Sequence, residues 1–186
     1  MNVLSTGLPG VLLIEPRVYG DERGFFVETY RRERYAAAGI GIEFVQDNLS
    51  SSRVGVLRGL HFQHPKGQAK LIQVIQGEIY DVVVDVRSGS PTIGRWYGVA
   101  LSSANKRQLF VPAGFAHGFC TTSDSAIVSY KASEVYAPDC ETAVQWDDPD
   151  LGISWPIENP TVSDRDLLAV RLRDVPADRL PPFDGP

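Results

Sequence analysis

The sequence predicts an all-β fold in which short antiparallel strands form a sandwich or a barrel. Most of the chain consists of short runs rich in β-branched and aromatic residues, and glycine, proline, asparagine and aspartate separate these runs. Only two segments have the composition of a helix. Many short strands with frequent turns and few helices are typical of antiparallel sandwiches and barrels.

The clearest predicted strand lies within residues 79–87, where the side chains alternate. Its even-numbered positions carry one tyrosine and otherwise valine, whereas Asp81 and Asp85 are placed on the opposite face. The other strands are predicted from their composition and from the turn residues that bound them. The full set of predicted strands is residues 11–14, 24–28, 44–48, 70–76, 79–86, 94–101, 108–111, 117–121 and 126–135.

Two short peripheral helices are predicted. Residues 30–38 are rich in arginine and alanine and end at Gly39, which is typical of a helix C-terminus. The second helix follows Ser163 near the C-terminus. Because the chain shows no internal repeat and no linker, residues 1–186 are predicted to form a single domain, and the proline-rich stretch 174–186 is expected to be a loosely held tail.

Composition and charge exclude several classes of protein. The net charge of -5 predicts no general affinity for nucleic acid or acidic membranes. The apolar run at residues 11–14 is too short for a signal peptide or a membrane helix. Cys120 and Cys140 are expected to be free thiols in a reducing compartment. We therefore expect a cytoplasmic protein with no nucleic-acid or membrane partner.

The segment around His61 contains residues that could carry chemistry. Arg58 and His61 lie three positions apart, with Gly59 between them. In a regular strand Gly59 and His61 share a face and Arg58 points to the other, so Arg58 would reach a common ligand only from a bend. The alternative is a surface arginine beside a hydrogen-bonded core histidine, and the pattern alone favours neither.

His117 lies in a Pro-x-Gly-x-x-His pattern at residues 112–117 that resembles the second motif of the cupins, in which this histidine binds a metal. A metal site needs two or three further ligands. His64 lies three positions from His61, which places these two side chains on opposite faces of a strand, and the sequence has only three histidines. A facial triad of His61, His117 and a carboxylate such as Glu78 stays open as an alternative.

Asp166 follows Ser163 at the spacing of a capping box, in which Ser163 caps the helix and Asp166 bonds back to a backbone N–H. From this pattern alone the capping role is favoured over a catalytic one, and Arg165 is expected to be an exposed charge. If Asp166 is only a cap, Asp81 is the next candidate for a carboxylate partner of His61.

Lys70 and Tyr130 also have structural interpretations. Lys70 stands at the entry to an apolar strand, where its stem can be buried while its ammonium group reaches solvent. Tyr130 can be a half-buried aromatic with no chemical role.

Taken together, these segments resemble the dTDP-4-dehydrorhamnose 3,5-epimerase family over nearly the whole chain. No single motif carries the resemblance, but many motifs follow one another in the family's order. They are residues 20–28 (GDERGFFVE), 44–48 (FVQDN), 57–63 (LRGLHFQ), 77–87, 105–109, 112–119, 130–131, 135–136, 141, 146–149 (WDDP) and 163–166 (SDRD).

This resemblance implies a cupin-like antiparallel β jelly roll, a homodimer, and no metal or organic cofactor. It also implies that His61 is the catalytic base, that Asp166 orients it, and that Tyr130 is the acid on the opposite face of the sugar. Lys70 and His117 would contact the sugar. The residues that would hold the nucleotide or its phosphates are Arg23, Phe26, Glu28, Gln46, Asn48, Arg58, Tyr136, Glu141 and Arg165.

The implied substrate is a 4-keto-6-deoxyhexose on a nucleoside diphosphate, usually dTDP. The C4 ketone acidifies the hydrogens on C3 and C5, so a base can form an enolate, and a proton returned from the other face inverts the carbon. Histidine suits the task, a carboxylate behind it fixes its tautomer, and Lys70 would offset the charge on the C4 oxygen. The expected reaction converts dTDP-4-dehydro-6-deoxyglucose to dTDP-4-dehydrorhamnose.

Some details stay open from the sequence. Relatives in secondary metabolism invert C3, C5 or both, so neither the inverted carbons nor the pathway is indicated. Gln73 replaces a frequent arginine of the family, Val135 a frequent tyrosine, and Arg165 a frequent lysine. The alternatives of another class are a metal-dependent cupin enzyme and a non-catalytic sugar-nucleotide-binding protein, and an intact acid–base pair argues against the second.

Overall fold

The computed structural model describes residues 1–185, which form two antiparallel β-sheets, a separate hairpin and short helices. The helices are α1 (Arg32–Ala37) and α2 (Asp164–Leu167), with 3₁₀ turns at Pro138–Cys140, Leu172–Asp174 and Ala177–Arg179. No helix among these residues is long and apolar enough to span a membrane. The strands are β1 (Asn2–Ser5), β2 (Leu12–Glu15), β3 (Val18–Asp21), β4 (Gly24–Val27), β5 (Gln46–Arg53), β6 (Leu57–Gln63), β7 (Lys70–Gln76), β8 (Glu78–Asp85), β9 (Trp96–Ser102), β10 (Gln108–Val111), β11 (Phe115–Thr121), β12 (Ser125–Ala132) and β13 (Glu141–Ala143).

The two sheets form the sandwich of a jelly roll. The six-stranded sheet has the order β1-β2-β10-β7-β12-β5, and the five-stranded sheet has the order β13-β6-β11-β8-β9. All strand pairs within them are antiparallel. Within residues 1–185, β3 and β4 pair only with each other and form a separate hairpin. The predicted cupin-like antiparallel jelly roll with short peripheral helices is confirmed.

Strand β8 is buried on both faces. Ile79 and Val83 lie in the core between the two sheets, and Val82 packs on the other side of β8 beneath residues 144–180. The alternation predicted for residues 79–87 is therefore confirmed. The inner face of β8 also carries Asp81 and Asp85, both 0% exposed. Aspartate is almost never fully buried unless it is paired, so both carboxylates need partners.

Each sheet also buries part of its outer face. On the six-stranded sheet, Tyr35 of α1 and the following Ile40 pack in one cluster with Ile14 and Phe110. On the five-stranded sheet, residues 144–180 supply the covering apolar side chains. This second covering segment contains α2, so its packing determines where α2 sits relative to β6.

The C-terminal stretch is held against the sandwich. Val175 and Pro181 are buried. The N–H of Ser88 donates to the Pro181 carbonyl at 2.8 Å, and the N–H of Phe183 donates to the Ser88 carbonyl at 3.0 Å. The expectation of a loosely held tail is wrong for residues 174–185, because these backbone hydrogen bonds and buried side chains fix it; residue 186 lies outside the described residues.

Every predicted strand is present, with ends that differ by a few residues. The largest difference is at β5, which begins at Gln46 and continues through a run of serines to Arg53. The helix predicted at residues 30–38 is α1, and Gly39 follows it with φ +92°. Strands β1, β3, β6 and β13 were not in the predicted set. Strands β1, β3 and β13 have only three or four residues, too few for alternation to be recognised, and a bulge in β6 interrupts its alternation.

A bulge in β6 determines which way its functional residues face. On β11, His117 lies opposite His61 and Phe119 lies opposite Arg58, so two steps along β11 match three steps along β6. The extra residue in β6 cancels the regular alternation of side chains. Arg58 and His61 therefore line the same cavity, and the bend that Arg58 was expected to need is this bulge.

Gly59→Ala is expected to destabilise the protein by about 2–4 kcal/mol. A Cβ on Gly59 would lie 2.6 Å from the Gly118 Cα and 2.7 Å from the His117 carbonyl oxygen, and φ at Gly59 is +116°. Overpacking costs about 1–3 kcal/mol, and the positive φ adds about 1 kcal/mol for a residue with a side chain. Urea unfolding of the variant and of the wild type measures the difference.

Gly55→Ala is the matched control. Gly55 also has a positive φ, of +78°, but no atom lies within 4 Å of the position of its Cβ. This variant is expected to lose only about 1 kcal/mol. Equal losses at the two positions would show that backbone conformation, and not the close approach of β6 to β11, makes glycine necessary at position 59.

Candidate active site

A cavity of about 480 Å³ lies beside the bulge of β6. Its walls are formed by residues of β5, β6, β7, β11 and β12 and by residues 161–166. The structure brings together in this cavity all the residues expected to act in catalysis and several of those expected to bind substrate. They are His61, Lys70, Tyr130 and Asp166, together with Arg58, His117 and Arg165.

His61 and Asp166 are in direct contact. His61 Nε2 lies 2.6 Å from Asp166 Oδ1, although the two residues are 105 positions apart in the chain. The Asp166 side chain is 4% exposed and that of His61 is 24% exposed. Ser163 caps α2, because its hydroxyl oxygen accepts the N–H of Asp166 at 3.2 Å. The predicted cap and the histidine contact therefore coexist, and the Asp166 carboxylate faces the base.

The surroundings of Asp166 keep its carboxyl group ionised. Burial raises the pKa of this carboxyl, but the hydrogen bond from the His61 ring and the charge interaction with that ring lower it, and with weaker contributions from neighbouring groups they leave the pKa below its ordinary value. Ionised Asp166 therefore stabilises the folded state above the pKa of the unfolded chain. That contribution is lost as the pH falls through the lower pKa of the folded state.

The contact with Asp166 leaves one ring nitrogen of His61 available. A carboxylate only accepts hydrogen bonds, so the neutral ring carries its hydrogen on Nε2 and presents a lone pair on Nδ1. Nδ1 lies 4.0 Å from Glu141 Oε1. Nδ1 is thus the atom of His61 that can remove a proton from a ligand in the cavity.

Lys70 supplies a partly buried cation to the same cavity. Burial lowers the pKa of its ammonium group, and the charges of Glu141 and then Asp81 oppose that change. Its Nζ lies 5.7 Å from the centre of the Tyr130 ring. A cation in such a place, away from bulk water, interacts strongly with negative charge that develops on a ligand.

Tyr130 is positioned as a proton donor. Burial raises the pKa of its phenol, and the negative charge of Glu141 acts in the same direction. Tyr130 therefore keeps its proton more firmly than an exposed tyrosine.

A second histidine–carboxylate pair lies beside the first. His117 Nε2 is 3.0 and 2.9 Å from the two carboxylate oxygens of Asp81. Asp81 is therefore engaged by His117, and the alternative that it partners His61 is wrong. Asp85 accepts hydrogen bonds from two hydroxyl groups of the loop after β8 and pairs with Arg87 at 2.7 Å, so it acts away from the cavity.

The alternative metal triad is not assembled. Glu78 is exposed at the start of β8 and accepts a hydrogen bond from Thr122 at 2.9 Å, outside the cavity that His61 and His117 line. His64 follows β6 and does not line this cavity either. In the part of the chain that the structure describes, no group of three or more histidine, cysteine, aspartate or glutamate side chains is arranged to hold a metal ion.

Several residues expected to hold the nucleotide form one hydrogen-bonded network beside His61. Gln46 donates to Asn48 at 3.0 Å and accepts the N–H of Tyr136 at 2.9 Å. The hydroxyl of Tyr136 donates to Glu141 at 2.9 Å. Arg165 donates to the Tyr136 hydroxyl at 3.1 Å and forms an ion pair with Glu141. The network connects the expected nucleotide site to the carboxylate nearest Nδ1 of the base.

Sequence reasoning missed two serines on β5. Ser52 accepts a hydrogen bond from Arg58 Nε at 3.0 Å and so orients that guanidinium. Ser50 lines the cavity, and its hydroxyl is buried without a hydrogen-bond partner among residues 1–185. Polar residues at every second position, with Gln46 and Asn48 before these serines, are the signal that could have identified them.

Three of the expected nucleotide-binding residues lie away from this cavity. Arg23 and Phe26 belong to the β3–β4 hairpin and line a separate cavity of about 370 Å³. Phe26 is 68% exposed and its neighbour Phe25 is 60% exposed. Glu28 follows β4 and pairs with Arg34 at 2.8 Å. Within one chain, the hairpin does not contribute to the cavity that contains His61.

Comparison with known proteins places this site in a family. Residues 5–174 match the family model described as dTDP-4-dehydrorhamnose 3,5-epimerase. The chain is 51% identical over 176 residues to a Shigella flexneri protein named dTDP-4-dehydrorhamnose 3,5-epimerase, and the match covers 94% of this chain and 97% of that protein. The chain belongs to the dTDP-4-dehydrorhamnose 3,5-epimerase family.

Two further members of this epimerase family are informative. A crystal structure of dTDP-6-deoxy-D-glucose-3,5-epimerase from Legionella pneumophila, in complex with dTDP-4-keto-L-rhamnose, is 46% identical with a TM-score of 0.97, covering 99% of both chains. A Streptomyces niveus protein named dTDP-4-dehydrorhamnose 3-epimerase is 42% identical over 179 residues, covering 94% of this chain and 86% of that protein. Enzymes that invert two centres and one centre are therefore both similar to this chain.

Two of the three departures from frequent epimerase-family residues lie outside the cavity. Gln73 accepts a hydrogen bond from Gln108 at 3.1 Å, and the Gln108 amide also donates to the Thr29 carbonyl. Val135 is 49% exposed. Arg165 alone lines the cavity, and it keeps the positive charge of the lysine it replaces while its planar guanidinium can bind a phosphate through two nitrogens at once.

Asp166→Asn is expected to lower turnover far more than stability. An amide can force the wrong tautomer on His61 and cannot stabilise its protonated ring, and the matching change in serine proteases lowers turnover about 10⁴-fold. Turnover and the urea midpoint are measured on the same preparation. Near-normal turnover with a clearly lowered midpoint would show that Asp166 acts only in the structure of α2.

Ser163→Ala is the matched control for this variant. It removes the hydroxyl that caps α2 and leaves the Asp166 carboxylate in place. Loss of a cap costs about 1 kcal/mol of stability, and turnover should stay within a few-fold of the wild type. The two variants together separate the role of the cap from the role of the carboxylate.

Proposed function

We propose that this chain epimerises a dTDP-4-keto-6-deoxyhexose at the carbons beside its C4 ketone, converting dTDP-4-dehydro-6-deoxyglucose to dTDP-4-dehydrorhamnose. One observation carries the proposal: His61 and Tyr130 line one cavity from opposite sheets of the sandwich. Epimerisation requires a base on one face of the sugar and an acid on the other. The names of the Shigella and Legionella relatives support the substrate class.

In the proposed reaction, His61 is the base. Its Nδ1 removes a hydrogen from C3 or C5, and the electrons of the broken C–H bond move into the enolate with its charge on the C4 oxygen. Asp166, 2.6 Å from Nε2, stabilises the imidazolium that forms. A positioned base or acid of this kind typically contributes a rate factor of about 10²–10⁴.

Lys70 is the cation that stabilises the enolate. It belongs to β7 of the six-stranded sheet and lies beside Tyr130, so it reaches the cavity from the wall opposite His61. A positive charge that is already in place when the oxyanion develops lowers the barrier without reorganisation. His117 would contact the sugar from the five-stranded sheet. This route assigns no step to a metal or an organic cofactor.

Tyr130 completes the inversion by donating its phenolic proton to the opposite face of the same carbon. The raised pKa of this phenol keeps the proton in place until the enolate forms. The resulting phenolate and the protonated His61 must return to their starting states through solvent or through the second epimerisation.

The comparisons support two candidates for which carbons of the sugar are inverted. The Shigella relative at 51% identity is named a 3,5-epimerase, whereas the Streptomyces niveus relative at 42% identity is named a 3-epimerase. We propose inversion at both C3 and C5, since the relative with the higher identity carries that name. Inversion at C3 alone is the second candidate.

Proton NMR in deuterated water with dTDP-4-keto-6-deoxyglucose tests the function, because every enolised carbon exchanges its hydrogen for deuterium. The wild type is expected to label both C3 and C5. Labelling at C3 alone would assign the one-centre reaction, and labelling at neither carbon would contradict the proposal. Loss of labelling on exhaustive chelation, with recovery on adding Fe, Mn or Zn, would favour the metal-dependent alternative.

His61→Ala is expected to abolish labelling at both carbons and to leave dTDP affinity, measured by calorimetry, within a few-fold of the wild type. The reason is that one base beside one ketone serves both positions, while other residues hold the nucleotide. His64→Ala is the control, since His64 does not line the cavity. Labelling at either carbon near the wild-type rate would show that another group is the base.

We also propose that the chain acts as a homodimer in which the β3–β4 hairpin of one protomer reaches the site of its partner. The hairpin pairs with no other strand in the described chain and exposes Tyr19, Phe25 and Phe26. Arg23 and Phe26 are expected to hold the nucleotide but line no part of the His61 cavity. A second copy of the chain, packed against this hairpin, would explain both facts.

Mixing two inactive variants tests this dimer directly. Arg23→Ala and His61→Ala are expected to be weakly active or inactive alone at low substrate concentration. After mixed refolding, a heterodimer pairs His61 of one protomer with Arg23 of the other, so about a quarter of the wild-type activity should return. No gain on mixing would show that the hairpin acts within its own chain or not at all.

Cytoplasmic location and the lack of a nucleic-acid or membrane partner stay predictions from the sequence. We likewise propose that the chain forms a single catalytic domain. Three clusters of buried side chains, one between the two sheets and one on the outer face of each, support this proposal.

A further inference from the structure

Asp81 is a fully buried carboxylate that no part of the proposed reaction has used. It lies on the inner face of β8, is 0% exposed, and has both oxygens within 3.0 Å of His117 Nε2. Burial of an ionised carboxylate is unfavourable unless charged or hydrogen-bonded partners offset the lost hydration. Packing of the sandwich alone therefore does not explain why an aspartate lies at this position.

Asp85 shows what a structural aspartate on this strand is like. It is equally buried, on the same face of β8, and it accepts hydrogen bonds from Arg87, Ser90 and Thr92, which hold the following loop. Asp81, in contrast, has His117 as its only side-chain hydrogen-bond partner among residues 1–185. That partner lines the cavity, so Asp81 stands directly behind the site.

Asp81 also acts on the lysine of the site. Burial lowers the pKa of Lys70, and the two charges that oppose this effect are those of Glu141 and Asp81. Glu141 is already paired with Arg165 and hydrogen-bonded by Tyr136. Asp81 has no arginine or lysine partner in the described chain, so its negative charge is left to act on the two groups at the cavity wall, His117 and Lys70.

We propose that Asp81 is the positioning residue for the side of the site that receives the C4 oxygen: it fixes the His117 ring with its hydrogen on Nε2, and it supplies the counter-charge for the Lys70 ammonium. The catalytic part of this inference rests on the proposed function. Nδ1 of His117 is then the nitrogen that contacts the sugar, just as Nδ1 of His61 is the nitrogen that removes the proton.

The surrounding charges determine what removal of Asp81 should do. The titratable and charged groups packed around Lys70 and His117 come from four elements besides β8 itself: Arg58 and His61 of β6, Tyr130 of β12, Glu141 of β13, and Arg165 and Asp166 of α2. Asp81→Asn removes one negative charge and leaves all of these in place. The Lys70 ammonium should then lose its proton at lower pH.

The test is the pH dependence of deuterium labelling for Asp81→Asn, with Asp85→Asn as the matched control. For Asp81→Asn we expect kcat to fall about 10- to 100-fold, the range seen when carboxylates behind metal-binding histidines are removed. The alkaline limb of kcat should move to lower pH by about one unit, with dTDP affinity unchanged. Asp81→Glu, which keeps the charge, should return the limb towards its wild-type position.

Asp85→Asn is expected to lower the urea midpoint without moving the alkaline limb, since Asp85 faces a loop. An Asp81→Asn variant that loses stability but keeps the wild-type limb would overturn the proposal, because a merely structural role predicts that result. Absence of labelling by the wild-type protein itself would contradict the proposed function and not the placement of Asp81.

A measurement on the unaltered protein decides the question if Asp81→Asn does not fold. Nitrogen-15 NMR of the histidine rings identifies which nitrogen of His117 carries the hydrogen. The proposal predicts the tautomer with hydrogen on Nε2, hydrogen-bonded to Asp81. A His117 ring with its hydrogen on Nδ1 would overturn the proposal whether or not the protein shows epimerase activity.

Discussion

The hydrogen bond from His61 to Asp166 joins a strand of the five-stranded sheet to a helix that lies 105 residues later in the chain. Its geometry depends on two independent parts of the fold. The bulge of β6 turns His61 into the cavity, and the packing of residues 144–180 on the outer face of the same sheet brings α2 beside it. The Ser163 cap then fixes the turn that carries Asp166. Loss of the bulge or of this packing would separate the base from its carboxylate.

The proposed base and the proposed acid lie on opposite walls of the cavity. His61 and His117, each with a buried aspartate behind Nε2, come from the five-stranded sheet, and Lys70 and Tyr130 come from the six-stranded sheet. A sandwich suits a reaction that needs a base and an acid on opposite faces of a flat enolate, because its two sheets approach a ligand from opposite sides. Burial strengthens each of these charge interactions relative to the same pairs in water.

Much of the fold could be predicted from the sequence because strands have a period of two. The alternation within residues 79–87 correctly separates the inner aspartates from the outer valines. Which aspartate meets which histidine could not be predicted, since that depends on strand order and register. Asp81 lies two positions along the ladder from the residue opposite His117, and this places it against His117 and not His61.

The full set of site residues was predicted from the resemblance to a family. The pattern of the sequence, interpreted by physical chemistry alone, predicted only some of them. A bulge is invisible to a period-two pattern, so Arg58 and His61 seemed to face apart. The proline-rich C-terminus seemed loose because proline cannot donate backbone hydrogen bonds, yet its carbonyls can accept them, as Pro181 does from Ser88. The serines of β5 were passed over because a run of serines is typical of loops as well as of edge strands.

A crystal structure of the protein with dTDP-4-keto-L-rhamnose bound tests the central claim most directly, because it shows which ring nitrogen of His61 faces the sugar. The account predicts His61 Nδ1 about 3–3.5 Å from C3 or C5, with Nε2 still bonded to Asp166. It also predicts the Tyr130 hydroxyl on the opposite face of the sugar and Lys70 at the C4 oxygen. A complex in which His61 has left Asp166 to present Nε2, or in which His61 and Tyr130 lie on the same face of the sugar, would contradict it.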